Sequence, residues 1–529
     1  MVTMGECRRF ALAPLTLALG FTWLNHAHAG EWVIKPRVTA EETLTDNLFL
    51  TNSDKESDFV TEITPGVKIT GRSRHFQVDL DYQIQNLIYA SNGEFNETNQ
   101  QFNASGRLEM LEDYLFLDAG ADVGQRQASI NGQRSIDTLN VIGNRVNYEN
   151  YRASPFFRHE FGGIVNTEIR YSDYRYSDDY QDTGLDPAST DTGSNNAKSW
   201  QGNFVSGRKF TRLQWGLFYS QYEQDNARGL DENGNPTSGK DKRESTSGQL
   251  SYFLFDDWSF VAQGGEETNQ IAGLDRANNG SYWSAGVSWQ PSRHLNVRVL
   301  DGANDREVGI KFTPTVRTNV DLSWRDRDVG SVVGPSWNLS ARHKTRHTTW
   351  SALYQDSLTS EQQLVLTGYQ PVVIPDPNTG RPVVIPVPFY GLNDENFRRE
   401  YGDIGMSYAL GRNDIYSRIY QEKRSYELTK VNDETVYGFN TGINFGLAAH
   451  STINVGLQWD HSDFDSIDRT EEFYTISSAW RRALSPDTDF EVALSHTKRD
   501  TSGDDQALQD GEPLAYDENR VMARLTKAF

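Results

Sequence analysis

Phe76-Gln77-Val78-Asp79-Leu80-Asp81-Tyr82-Gln83-Ile84-Gln85 alternates apolar and polar residues without a break. Successive side chains of an extended chain point to opposite faces, so this stretch is a strand with one dry side and one wet side. The same period recurs in Leu115/Leu117/Ala119/Ala121/Val123, Leu213/Trp215/Leu217/Tyr219, Trp283/Ala285/Val287/Trp289 and Val320/Leu322/Trp324, among others. Segments of this kind number about 24, bounded by roughly 22 and 26, because strand limits read from a pattern move by ~2–4 residues.

The connectors decide how the strands are joined. Tight ones (72–75, 112–113, 256–257, 291–294, 411–413, 485–488) alternate with longer polar ones (44–57, 128–145, 177–196, 226–242, 359–397, 501–513). That alternation predicts an antiparallel meander with its long loops at one end. Short periplasmic turns and long extracellular loops are the pattern of an outer-membrane barrel. A soluble sandwich or β-helix is the competing all-β reading. It is disfavoured by the lack of a fixed repeat and by Trp and Tyr near the ends of the apolar rows, where interfacial girdles need them.

Composition agrees. Aromatic residues make up 12% of the 529-residue chain and glycines number 43, a β-rich, turn-rich mixture. The net charge of −22 argues against a nucleic-acid partner, which requires clustered Lys and Arg. Arg8 and Arg9, an apolar stretch over 10–24 and the small-residue site Ala27-His28-Ala29 predict a secretory signal over 1–29, leaving one barrel over 30–529. The sole cysteine, Cys7, lies in that signal, so neither disulfides nor a cysteine-ligated metal is expected in the remainder.

Signatures of catalysis are missing: no HExxH, GxSxG or Cys/His pattern occurs. His343 and His347, four apart on a strand, would stand about 13 Å from each other, too far to share an ion. Neither an enzyme nor a cofactor is expected.

Alternation also sorts the charges. It places Arg298, Arg325, Arg327, Arg342 and Lys344 on the inner wall, within a locally basic stretch, and Asp79, Asp81, Asp118 and Asp122 on another part of that wall. Two readings follow: a field across the lumen that orients polar solutes, or unrelated charges on a wet surface.

The longest connector contains Pro371-Val372-Val373-Ile374-Pro375 and Pro382-Val383-Val384-Ile385-Pro386 around Asp376-Pro377-Asn378-Thr379-Gly380-Arg381. Two β-branched runs around a turn predict a hairpin, and its prolines should keep it out of the barrel wall. Residues 370–389 then pack above the wall, constrict the lumen as a gate (Pro371, Ile374, Pro375, Pro382, Ile385, Pro386), or dock a partner.

Three further segments carry a family likeness. Thr45-Asp46-Asn47-Leu48-Phe49-Leu50, then Ile63-Thr64-Pro65-Gly66-Val67 ahead of Leu80-Asp81-Tyr82, and Ala153-Ser154-Pro155-Phe156-Phe157 occur in that order. The chain thereby resembles the outer-membrane β-barrel porins associated with the PEP-CTERM/exosortase system, whose genes accompany exopolysaccharide loci. The terminal row Val521, Ala523, Leu525 and Phe529 resembles the signal read by the outer-membrane assembly machinery, with Lys527 departing from it. The resemblance implies residence in the outer membrane of a Gram-negative bacterium, among lipid and lipopolysaccharide, with exopolysaccharide as cargo and periplasmic export components as partners. A diffusion porin for small polar solutes, or a non-conducting barrel that anchors surface loops or a secretion complex, are the alternatives.

Overall fold

The computed structural model describes residues 30–529 apart from 128–132, 144, 181–193, 231–235, 271–277, 331, 360–363, 376–381, 393–396, 427–432, 465–468 and 504–514. The expected signal over 1–29 lies outside the described residues.

The first strands are β1 (Glu31–Thr45), β2 (Asp58–Arg72), β3 (Phe76–Tyr89), β4 (Glu97–Leu111), β5 (Leu115–Gln127), β6 (Arg145–Phe161), β7 (Val165–Tyr180) and β8 (Ser194–Ser206). Next come β9 (Leu213–Leu230), β10 (Pro236–Phe253), β11 (Trp258–Gln270), β12 (Gly280–Ser292), β13 (Leu295–Ala303), β14 (Asp305–Thr315), β15 (Thr318–Arg327), β16 (Gly334–Lys344) and β17 (Thr348–Thr359). The last are β18 (Leu364–Pro375), β19 (Pro382–Leu392), β20 (Phe397–Leu410), β21 (Asn413–Tyr426), β22 (Glu434–Ala448), β23 (Ser451–Phe464), β24 (Arg469–Ser485), β25 (Thr488–Gly503) and β26 (Tyr516–Ala528).

All but β18 and β19 form one 24-stranded antiparallel sheet. It closes because β1 pairs with β26, from Arg37↔Ala528 to Thr45↔Arg520, and the Phe529 N–H continues the ladder onto the Pro36 carbonyl. The expected all-β, up-and-down barrel of about 24 strands is what the chain forms. Closure leaves no unpaired edge in that sheet, as a spanning sheet in lipid requires.

The outer face carries the apolar rows. Leu217, Phe260, Trp283, Ile404, Ile419 and Leu494 are each more than half exposed there. Exposed rows of this extent are an aggregation surface in water and the ordinary lining of a barrel in lipid. The opposite row of β3 points inward: Asp81 takes an ion pair from Arg37 of β1, and Gln85 donates to Glu62 of β2. A 24-strand barrel is too wide for side chains to fill. Two of its buried apolar clusters gather beneath connectors at the extracellular end, and smaller ones, Tyr401 with Tyr420 and Phe397 with Tyr426, lie on the strands β20 and β21.

One connector breaks the expected alternation. β13 and β14 are joined at the long-loop end by Asn304 alone, in a left-handed conformation (φ 60) that asparagine adopts more readily than most residues. The strands from β13 to β16 are only 9 to 11 residues long, whereas β9 and β10 reach 18. The extracellular rim is therefore low on that side.

Candidate functional site

Among the described residues, two connectors fold into the mouth. In the first, 46–57, Asn47 is fully buried; its Nδ2 donates to the carbonyls of Thr51 (2.7 Å) and Asp517 (2.9 Å), and its Oδ1 accepts from Thr51 N–H (2.9 Å). This turn, tied to β26, drives Leu48 and Leu50 into the barrel, where both lose all exposure. The second connector crosses over them. Leu139 and Val141 pack with Leu48, Val60, Leu87 and Tyr89, while Ile142 packs with Leu50, Phe473 and Tyr516. Full burial of side chains of this size is worth about 1.5–3 kcal/mol each, so the five apolar contributors offset much of the entropy lost in ordering the connectors.

Polar contacts fix its position on β26 and on β23, three strands away. On β26, Arg520 pairs with Asp137 and bonds Asn140, while Asn140 Nδ2 donates to Glu518 (2.9 Å). On β23, Asp460 pairs with Arg134 at 3.2 Å, and the Arg134 guanidinium lies 4.1 Å from the centre of the Phe473 ring. The hydroxyls of Tyr516 and Tyr89 donate to the backbone carbonyls of Arg134 (2.6 Å) and Leu139 (2.8 Å), and Arg145 donates to those of Thr138 and Asp137. Residues 133–143 are thus a strap from β3 and β6 to β23. Burial pushes the Asp137 carboxyl up, but the Arg520 guanidinium and the Leu139 N–H outweigh it and hold the group below the usual carboxylate range.

Beside the strap runs a belt of buried ion pairs. Glu422 pairs with Arg399 (2.8 Å) and Arg424 (2.7 Å), Arg424 with Glu434 (2.7 Å), and Glu471 with Arg469 (3.1 Å) and Arg499 (2.6 Å). Such pairs are costly to break singly, because the survivor is a buried, uncompensated charge.

The basic and acidic rows both lie on the inner wall, but most of their charges are answered locally. Arg325 and Arg327 converge on one oxygen of the fully buried Asp305 (2.9 and 3.0 Å), and Arg298 meets Glu307 (3.3 Å) and Gln263 (2.7 Å). Asp81 belongs to Arg37; Asp118 bridges Arg107 (2.6 Å) and Arg170 (2.9 Å). Asp122 accepts from Asn103 and Tyr148, and Asp79 from Thr70. Arg342 and Lys344 sit exposed at the periplasmic end of β16 with no ion pair among the described residues. Arg298, Arg325, Arg327, Asp81 and Asp118 are thus paired within their own walls, whereas Arg342, Lys344, Asp79 and Asp122 have no ion pair among the described residues.

The proline-flanked runs form the expected hairpin. β18 and β19 pair as a separate two-stranded sheet, with Pro371↔Pro386, Val372↔Ile385, Ile374↔Val383 and Pro375↔Pro382 opposed. β17 pairs directly with β20, so the hairpin does not enter the wall; its turn, 376–381, lies outside the described residues. The strap is not legible in the sequence, where 128–145 reads as a polar loop. Its signal was Leu139, Val141 and Ile142, three apolar residues with no strand to serve.

Residues 27–202 match the family described as "Putative beta-barrel porin 2". The matched region covers β1 to β7, most of β8, and the strap. The solved structures that the barrel resembles include the siderophore receptor PirA from Acinetobacter baumannii, at 8% identity and a TM-score of 0.47 over 93% of this chain and 80% of that one. Another is the FrpB iron transporter from Neisseria meningitidis, at 9% identity and a TM-score of 0.49 over 96% and 82%. No curated protein sequence matches the chain. The chain is porin-like in sequence over its first eight strands and a closed barrel throughout.

Proposed function

We propose that this protein is a gated channel of the Gram-negative outer membrane, passing a polar solute through the barrel, with residues 133–143 as its extracellular lid. The observation that carries this reading is the strap: a connector that could stand in solvent is folded inward and pinned by ion pairs to β23 and β26. Lumen-folded connectors narrow a pore without filling it, and the inner wall below the strap keeps exposed side chains such as Arg152 and Arg342. The cargo suggested by the family resemblance is exopolysaccharide, handed on by periplasmic export components. The barrel is non-catalytic in this reading; lipopolysaccharide surrounds it, and the assembly machinery reads the strand that ends in Phe529.

Single-channel recording in planar bilayers tests this with the full chain and a variant in which 133–143 is replaced by a Gly/Ser linker. Small or brief openings that become several-fold larger in the variant are the expected result. Equal, large conductance would make the protein an open diffusion porin. Silence in both would make it an anchoring barrel.

A further inference from the structure

The inner wall divides by charge. On β8 to β12 the inward charges among the described side chains are Asp241, Arg243 and Glu267, all in the extracellular half. Toward the periplasm the inward positions hold Ser, Gln, Asn, Gly, Ala, Val and aromatic residues. In a chain where 23% of residues are charged, five adjacent strands free of charge over that height differ sharply from β1 to β7, with Arg37, Asp81, Arg107, Asp118 and Arg170.

Within this neutral wall is a recess of about 210 Å³, open to the lumen, lined by Gln249, Ser251, Phe253, Ser259, Ser288 and Gln290, with Asn296 and Arg298 at its edge. Asp256 and Asp257 of the β10–β11 turn stand at its end. Asn296 donates to Ser288 (2.9 Å), and Arg298 is engaged by Glu307 and Gln263. Gln249, Ser251, Ser259 and Gln290 have no side-chain hydrogen bond among the described residues, although Ser259 is only 8% exposed. A hydroxyl that opens on the recess without a protein partner is a donor and an acceptor available to a ligand.

An aromatic face adjoins these groups. Phe218 points inward yet is 37% exposed, and its ring lies over Gly216, where a Cβ would stand 2.7 Å from Cζ. Gly216 is the cross-strand partner of Gln249, so the ring flanks the amide lining the recess. An open ring face beside amides and hydroxyls suits one ligand chemistry. Sugar hydroxyls both donate and accept, as Gln and Ser side chains do, and the C–H face of a pyranose packs on a flat aromatic ring. An anionic sugar would find no free cation here, since Arg298 is already paired.

We propose that the recess on β10 to β13, with Phe218, is a subsite for an uncharged sugar unit of a saccharide in the lumen. The inference rests on the channel reading only in placing a solute there.

The test is isothermal titration of the full-length barrel, in a zwitterionic detergent without sugar headgroups, with maltohexaose, cellohexaose and hexagalacturonate. Saturable binding of a neutral hexasaccharide is expected, with hexagalacturonate at least about tenfold weaker. Phe218→Ala, and separately Gln249→Ala with Gln290→Ala, should each raise Kd about fivefold or more, the loss of about one good contact. Phe218→Tyr keeps the ring and should bind nearly as the parent does. Heat-modifiable gel mobility confirms that each variant is folded. Binding of neither neutral probe, equal or tighter binding of hexagalacturonate, or parental affinity in both alanine variants would overturn the subsite. A barrel that conducts but binds no sugar loses this inference alone. One that binds sugar but never conducts, even without its lid, loses the channel reading alone.

Discussion

Asp137 carries the acid sensitivity of the lid. Its carboxyl is held below the usual carboxylate range by Arg520 and the Leu139 N–H, against the upward push of burial. A depressed pKa contributes stability that is present above the unfolded value and lost as pH falls through the folded one. Lid closure should therefore be complete at neutral pH and loosen below the ordinary carboxylate range, which bilayer recordings over an acid series would show as rising open probability. Asp137→Asn should remove that dependence; an unchanged acid response would assign it to another group. A second residue-level expectation concerns Arg424, which answers both Glu422 and Glu434 in near-complete burial. Arg424→Met leaves the buried Glu434 without its cation and Glu422 with Arg399 alone, and should destabilise the barrel by about 3–5 kcal/mol. The midpoint of urea unfolding, followed by tryptophan fluorescence, checks it.

At the scale of single strands, facing is the property that matters most. Leu217 is 56% exposed on the outer face, whereas Asp79 lies on the inner wall bonded to Thr70. Leu217→Arg or Leu80→Arg should cost about 2–4 kcal/mol and lower the folded yield in lipid vesicles, while Asp79→Arg should fold like the parent. Similar yields for all three would overturn the assigned facing. Neighbouring strands are also joined by aromatic rings lying on glycines: a Cβ at Gly438 would collide with the Tyr420 ring, and one at Gly442 with Tyr416. The alternation of large and small residues across β21 and β22 lets the rings lie flat along the wall. Gly442→Val should slow vesicle insertion, and Tyr416→Ala in the same chain should restore the rate in part, because the collision is with that ring.

The molecule as a whole separates parts that hold the barrel from parts that ride on it. β17 and β20 pair from Thr348↔Tyr408 to Thr359↔Phe397, so the wall is continuous without the hairpin between them. Replacing 364–392 with a short Gly/Ser linker should leave the unfolding midpoint within measurement error. Replacing 133–143 should lower it, since that change uncovers Leu48, Leu50, Tyr89 and Phe473. The reverse ranking would move the structural role from the strap to the hairpin.

What the sequence determined alone is the barrel: its antiparallel order, its near-complete strand count, the facing of Asp79, Asp118, Arg298 and Arg325, and a hairpin that stays out of the wall. These follow from a period of two and from connector length, properties written within a few residues of each other and indifferent to the remainder of the chain. Asn304 escaped because one residue in a left-handed turn does the work of a longer loop. The lid, the belt and the pairing of the lumen charges were decided by tertiary structure. Asn140 and Glu518 are 378 residues apart, and Arg134 and Asp460 are 326 apart. Such contacts exist only after closure has brought the two ends of the chain to adjacent strands, so the apolar run that makes 133–143 a lid has no meaning until the barrel supplies the surface on which it is buried.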